Sequence, residues 1–111
     1  MNYFDFRDGK LFAENVEVSD IAKEVGTPFY CYSKKALVGQ YGKYQKAFSD
    51  LNCLICFAVK ANSNLSVLRA FGELKAGADV VSVGEIQRAL EAGIDAKKIV
   101  FAGVGKARGE I

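Results

Sequence analysis

Lys60 stands directly behind an apolar run, residues 53–59, of the length and composition of a buried strand. In α/β folds active sites collect at the carboxyl ends of strands, so position alone puts this amine where chemistry is done. Burial favours the neutral form of an amine, and a neutral amine attacks an aldehyde to form a Schiff base. A solvated lysine where a strand meets its loop is the plainer reading of the same position. Asp79 opens a second apolar run, residues 79–83, an unfavourable place for a carboxylate unless it is paired. Glu85 closes Ser82-Val83-Gly84-Glu85, the pattern of a capping box, so a structural role competes there with a chemical one. The three cysteines, Cys31, Cys53 and Cys56, are odd in number and no histidine accompanies them, so neither a disulfide framework nor a metal site is expected. Cys53 and Cys56 have redox-pair spacing, but a strand would turn them to opposite faces, and core positions are the favoured reading.

The elements that must hold these residues follow from turn and cap chemistry. Asp8-Gly9 between aromatic-rich runs predicts a β-hairpin. Ser19 as N-cap and Gly26 beyond the last turn predict a short helix over residues 20–25, ended by Thr27-Pro28. Residues 29–32 are β-prone, and Ser33 then caps a helix whose buried face would carry Leu37, Tyr41, Tyr44 and Phe48. From residue 53 the order is β-α-β-α-β: strands over 53–59, 79–83 and 99–102, with helices built on Leu65, Leu68 and Phe71 and on Ile86, Ala89 and Leu90. Strands apolar on both faces belong to parallel sheets covered by helices, so the fold class is α/β.

The 111 residues allow one domain at most, and 50% hydrophobic with 25% charged residues is the composition of a folded protein. A net charge of +2, spread along the chain, gives no footprint for nucleic acid. No uncharged stretch is longer than that of residues 51–59, far short of the roughly 20 residues that span a bilayer, so no membrane partner is expected and a reducing cytoplasm is the default location. An apolar strand at residues 99–102 would be left as an open edge, and the sequence then runs into a glycine-rich loop; both point to the N-terminal part of a larger protein, with dimerisation as the alternative cover.

The run Phe57-Ala58-Val59-Lys60-Ala61-Asn62 resembles the lysine motif of pyridoxal-phosphate enzymes of the alanine-racemase and decarboxylase barrel type. The resemblance continues through Gly26-Thr27-Pro28-Phe29-Tyr30-Cys31-Tyr32, Gly77-Ala78-Asp79-Val80-Val81-Ser82-Val83-Gly84-Glu85 and Ile99-Val100-Phe101-Ala102-Gly103-Val104-Gly105-Lys106, and so covers essentially the whole chain. Ser63-Asn64-Leu65 after the lysine motif is more similar to the decarboxylases than to the racemases. Two positions depart from the pattern: Lys75 stands where a small residue or glycine is common, and Ala107 where a hydroxyl residue often follows Lys106.

The resemblance implies the first strands and helices of a (β/α)8 TIM-type barrel over residues 34–111, preceded by an N-terminal β segment, residues 1–33, that would join a separate β domain. It implies pyridoxal 5'-phosphate as cofactor, Lys60 as its Schiff-base residue, and Asp79 and Glu85 near it, with Asn62 fixing the loop. The implied activity is decarboxylation of meso-2,6-diaminopimelate to L-lysine and carbon dioxide by a homodimer. Residues 1–111 alone are expected to be inactive, because a barrel needs about 250 residues. Decarboxylation of another basic amino acid or of carboxyspermidine, or non-catalytic cofactor binding, are the alternatives. The N-terminal β segment favours an enzyme.

Overall fold

A computed structural model describes residues 2–110, which divide into two compact units, residues 2–39 and 40–110. In the first unit β1 (Phe4–Arg7) and β2 (Lys10–Ala13) form the expected antiparallel hairpin. Its turn residues Asp8 and Gly9 have φ of 50° and 77°, the doubly left-handed geometry that matches hairpin twist. A third strand, β3 (Val16–Glu17), pairs with β2; two residues are too few to leave a periodic signal. Arg7 braces the sheet, its Nη2 donating to the Glu14 carbonyl at 2.8 Å.

Helix α1 (Val18–Val25) starts earlier than Ser19 suggested. Ser19 Oγ donates to the Glu17 carboxylate instead of capping, and Glu17 takes the N-cap position. Gly26 ends the helix at φ 80° as expected. Residues 29–32 are not a strand: among the described residues no partner completes a ladder with them.

Ser33 caps helix α2 (Lys34–Ala47) as anticipated, its Oγ accepting the Ala36 amide at 3.0 Å. The same hydroxyl donates to Glu14 Oε1 at 2.7 Å, and that oxygen also accepts the Lys35 amide at 3.0 Å. The Lys35 amide, and then the Ser33 hydroxyl, hold the Glu14 carboxyl below its ordinary value of 4.5. A carboxyl with a depressed folded value adds stability that is present above pH 4.5 and lost as pH falls through the folded value. Denaturation midpoints taken across that acid window should therefore fall less steeply in Glu14→Gln than in the parent; parallel profiles would refute the latch.

In the second unit β4 (Cys56–Ala58), β5 (Gly77–Val80) and β6 (Ile99–Phe101) form a parallel sheet in the order β4-β5-β6. Helices α3 (Leu65–Glu73) and α4 (Val83–Glu91) supply the two crossovers. Ala78 and Val80 of β5 meet Leu68 of α3 and Ala89 of α4 in a core closed by Val59, Ala92 and Ile94, with Phe57, Ile86, Ile99 and Phe101 around it. Full burial of each large aliphatic side chain there is worth about 1.5–3 kcal/mol. By the two-residue period of a strand, Cys56, Ala58, Gly77, Asp79 and Val100 share the opposite face.

Several boundaries move relative to expectation. The first parallel strand is shorter than residues 53–59, because Val59–Ala61 coil into a 3₁₀ turn and Cys53 is exposed outside the strand. The second starts at Gly77 and stops before Val81, so Asp79 lies in its second half instead of opening it. Gly77 is required there, since a Cβ would come within 2.5 Å of the Lys98 carbonyl and 2.6 Å of Cys56 Sγ. Lys75, where a small residue or glycine is common, adopts φ 64° and has its carbonyl held by Lys98 Nζ at 3.0 Å. On α2 only Tyr41 is buried, against Phe71 edge to face at 6.3 Å; Tyr44 stays exposed and Phe48 lies beyond the helix end.

Candidate functional site

Lys60 occupies the middle of the 3₁₀ turn that closes the carboxyl end of β4. Val59, wholly buried, anchors the turn in the core, and the Asn62 amide closes it on the Val59 carbonyl at 3.1 Å. Asn62 Oδ1 accepts the Asn64 amide at 3.0 Å, which is the loop-fixing role expected of it. Asn64 Oδ1 in turn accepts the Ser66 and Val67 amides at 2.9 and 3.3 Å and so caps α3. A turn secured in this way presents its lysine from a fixed backbone. Lys60 itself is exposed, the plainer of the two readings of its position, and the chain leaves the sheet just before it, at Val59.

Asp79 sits beside Ala58 in the β4–β5 ladder, two residues short of Lys60 along β4. Its Oδ1 is buried and has no hydrogen-bond partner among the described residues. A carboxylate oxygen in that condition is an acceptor held ready for a proton-bearing or cationic group. Its charge is also felt by Cys56: burial first, and then Asp79, push the Cys56 thiol up. Cys56 is half-buried on the face of the sheet opposite the core and Cys53 is exposed, so neither takes the core position expected of it.

Glu85 lies in the first turn of α4, directly after β5. Its amide donates to Ser82 Oγ at 3.2 Å, and its Oε1 accepts the Val81 amide at 3.1 Å. The cap foreseen at Ser82 forms, although the carboxylate reaches the residue before the N-cap instead of the N-cap amide itself. The Lys60 turn packs against both β5 and α4, so one end of the sheet gathers the elements that carry Lys60, Asp79 and Glu85.

One further contact was not foreseen. Arg88 Nη1, on α4, donates to the Ser63 carbonyl in the loop after Lys60, at 3.1 Å and across 25 residues of chain. No local pattern announces such a pair. The Asn64 cap, in contrast, had a signal: an asparagine immediately before an apolar helical run. A cleft of about 340 Å³ lined by Tyr41, Cys53, Lys75 and Lys98 is at the amino ends of the strands, away from Lys60. No helix among the described residues is long and apolar enough to cross a membrane.

Fold and site together define an α/β protein built on parallel βα units, with an amine at a strand's carboxyl end and a buried acceptor on the neighbouring strand. Residues 34–111 match the pyridoxal binding domain of the pyridoxal-dependent decarboxylases, and the chain belongs to that family. It is 50% identical over 111 residues to diaminopimelate decarboxylase of Pseudomonas aeruginosa and 48% identical over 112 residues to that of Vibrio cholerae. The chain spans 27% of the length of each of these relatives. Diaminopimelate decarboxylase of M. jannaschii in complex with L-lysine superposes with a TM-score of 0.92 at 33% identity, covering 98% of this chain and 26% of that one. The parallel βα units are accordingly the opening part of a TIM-type barrel.

Proposed function

We propose that this chain is the lysine-bearing part of an enzyme that decarboxylates meso-2,6-diaminopimelate to L-lysine and carbon dioxide, with pyridoxal 5'-phosphate as cofactor and a homodimer as its working state. The observation that carries the reading is the placement of Lys60, in the turn that closes β4 and packs on β5 and α4. The relatives' activity and the L-lysine held by one of the solved structures support the choice of substrate, because lysine is the product this reaction requires. The unpartnered Asp79 Oδ1 fits the cofactor, since a proton-bearing group brought beside it would satisfy a buried acceptor.

Lys60 would hold the cofactor through Nζ at its aldehyde carbon. When bound, pyridoxal phosphate supplies a conjugated ring that takes up the electron pair left as carbon dioxide departs. When not engaged with the cofactor, Lys60 Nζ would be free to hold or deliver a proton. Asp79 Oδ1 accepts from a proton-bearing partner and orients it. Glu85 keeps the first turn of α4 in place and belongs to the cofactor's surroundings through that turn. Incubation of the complete protein with pyridoxal phosphate, reduction with borohydride and peptide mapping should put the pyridoxyl mass on Lys60. A label confined to other lysines would overturn the assignment.

A further inference from the structure

We infer that Arg88 is a positioning residue for Lys60, acting through the main chain of the loop that follows it. The inference rests on the reading of Lys60 as the cofactor's anchor. The loop is held at three points. Val59 pins its start in the core, and Asn64 pins its end by capping α3. Between them the Ser63 carbonyl accepts from Arg88 Nη1 at 3.1 Å, the one of the three that comes from α4.

The donor is itself well placed. Ser82 and Glu85 lock the first turn of α4, and Ala89, the neighbour of Arg88, is wholly buried in the core, which fixes the rotation of the helix. Among the described residues Arg88 makes no ion pair with Glu85 or Glu91, the carboxylates one turn away on its own helix. Its planar, permanently charged fork is directed to a main-chain carbonyl instead, a charge-assisted bond stronger than a neutral one. Because α4 follows β5, this bond ties the loop of Lys60 to the element that continues from the strand of Asp79. An exposed lysine on a turn has backbone as well as rotamer freedom, and holding its backbone fixed removes the backbone share before the cofactor arrives.

The test uses the complete protein and four forms of it: the parent, Arg88→Met, Arg88→Lys and Ser63→Ala. One measurement is hydrogen exchange at the Asn62 and Asn64 amides without cofactor; the other is the rate at which added pyridoxal phosphate becomes reducible onto Lys60. Arg88→Met should speed loop exchange and slow capture, each roughly two- to tenfold, the range of one net hydrogen bond, while exchange at Ala78 and Val80 stays as in the parent. Arg88→Lys, which keeps a cationic donor, should recover part of both, and Ser63→Ala should match the parent because the acceptor is main chain. Unchanged loop exchange, unchanged capture, or an equal rise in exchange throughout β5 would each overturn the inference. Failure of the parent to take up cofactor at Lys60 would show in the parent itself and would count against the proposed function, whereas a parent that takes it up beside an identical Arg88→Met would count against Arg88 alone.

Discussion

Lys60→Ala should abolish carbon dioxide release from meso-diaminopimelate, with turnover reduced at least about 10³-fold, the scale seen when a covalent catalytic group is removed. The size of the loss follows from where other amines lie. Lys75 and Lys98 are at the amino ends of the strands, tied to each other through the Lys75 carbonyl. Lys106 follows β6 and is engaged with the Phe101 ring, its Nζ 5.6 Å from the ring centre. None of these occupies the turn after β4. Since Lys60 is exposed, stability should change by no more than about 0.5 kcal/mol, so lost turnover would not reflect lost folding. Retained turnover in Lys60→Ala, with borohydride label moved to Lys106, would transfer the catalytic role to that residue.

Local chemistry made much of this arrangement readable. Asp8-Gly9 announced the hairpin, Ser33 and Ser82 announced the helices they cap, and apolar runs announced the parallel strands, because each signal is carried by neighbouring residues. What depends on distant residues was not readable. Residues 29–32 have strand composition but no ladder, since pairing is a property of two segments. The coil of Val59–Ala61 is a departure from the sheet that apolar composition cannot distinguish from its continuation. The exposure of Lys60 agrees with the plainer reading of its position, a solvated lysine where a strand meets its loop. The elements that carry Lys60, Asp79 and Glu85 were legible from local pattern; the link from Arg88 to Ser63 was not, because it joins two elements through a main-chain atom that every residue possesses.

Asp79→Asn should act in opposite directions on stability and on cofactor capture. A buried carboxylate oxygen without a partner destabilises the protein, and the neutral amide of asparagine is nearly the same size and carries less of that penalty. Because Asp79 is only partly buried as a residue, the gain in the cofactor-free protein should be about 1 kcal/mol, at the low end for an unsatisfied buried group. Covalent capture at Lys60 should slow by about 10²-fold, the lower range for a lost acid–base partner. Cys56 supplies an independent check on the geometry: removing the Asp79 charge takes away the smaller of the two causes that push its thiol up, so the thiol should titrate lower while burial still holds it above its ordinary range. A structural carboxylate would behave differently, since its replacement would lower stability and leave capture unchanged. Opposed effects are what an acceptor held in place for an incoming group must show, because on the proposed function the feature that destabilises the empty fold is the one that the cofactor would satisfy.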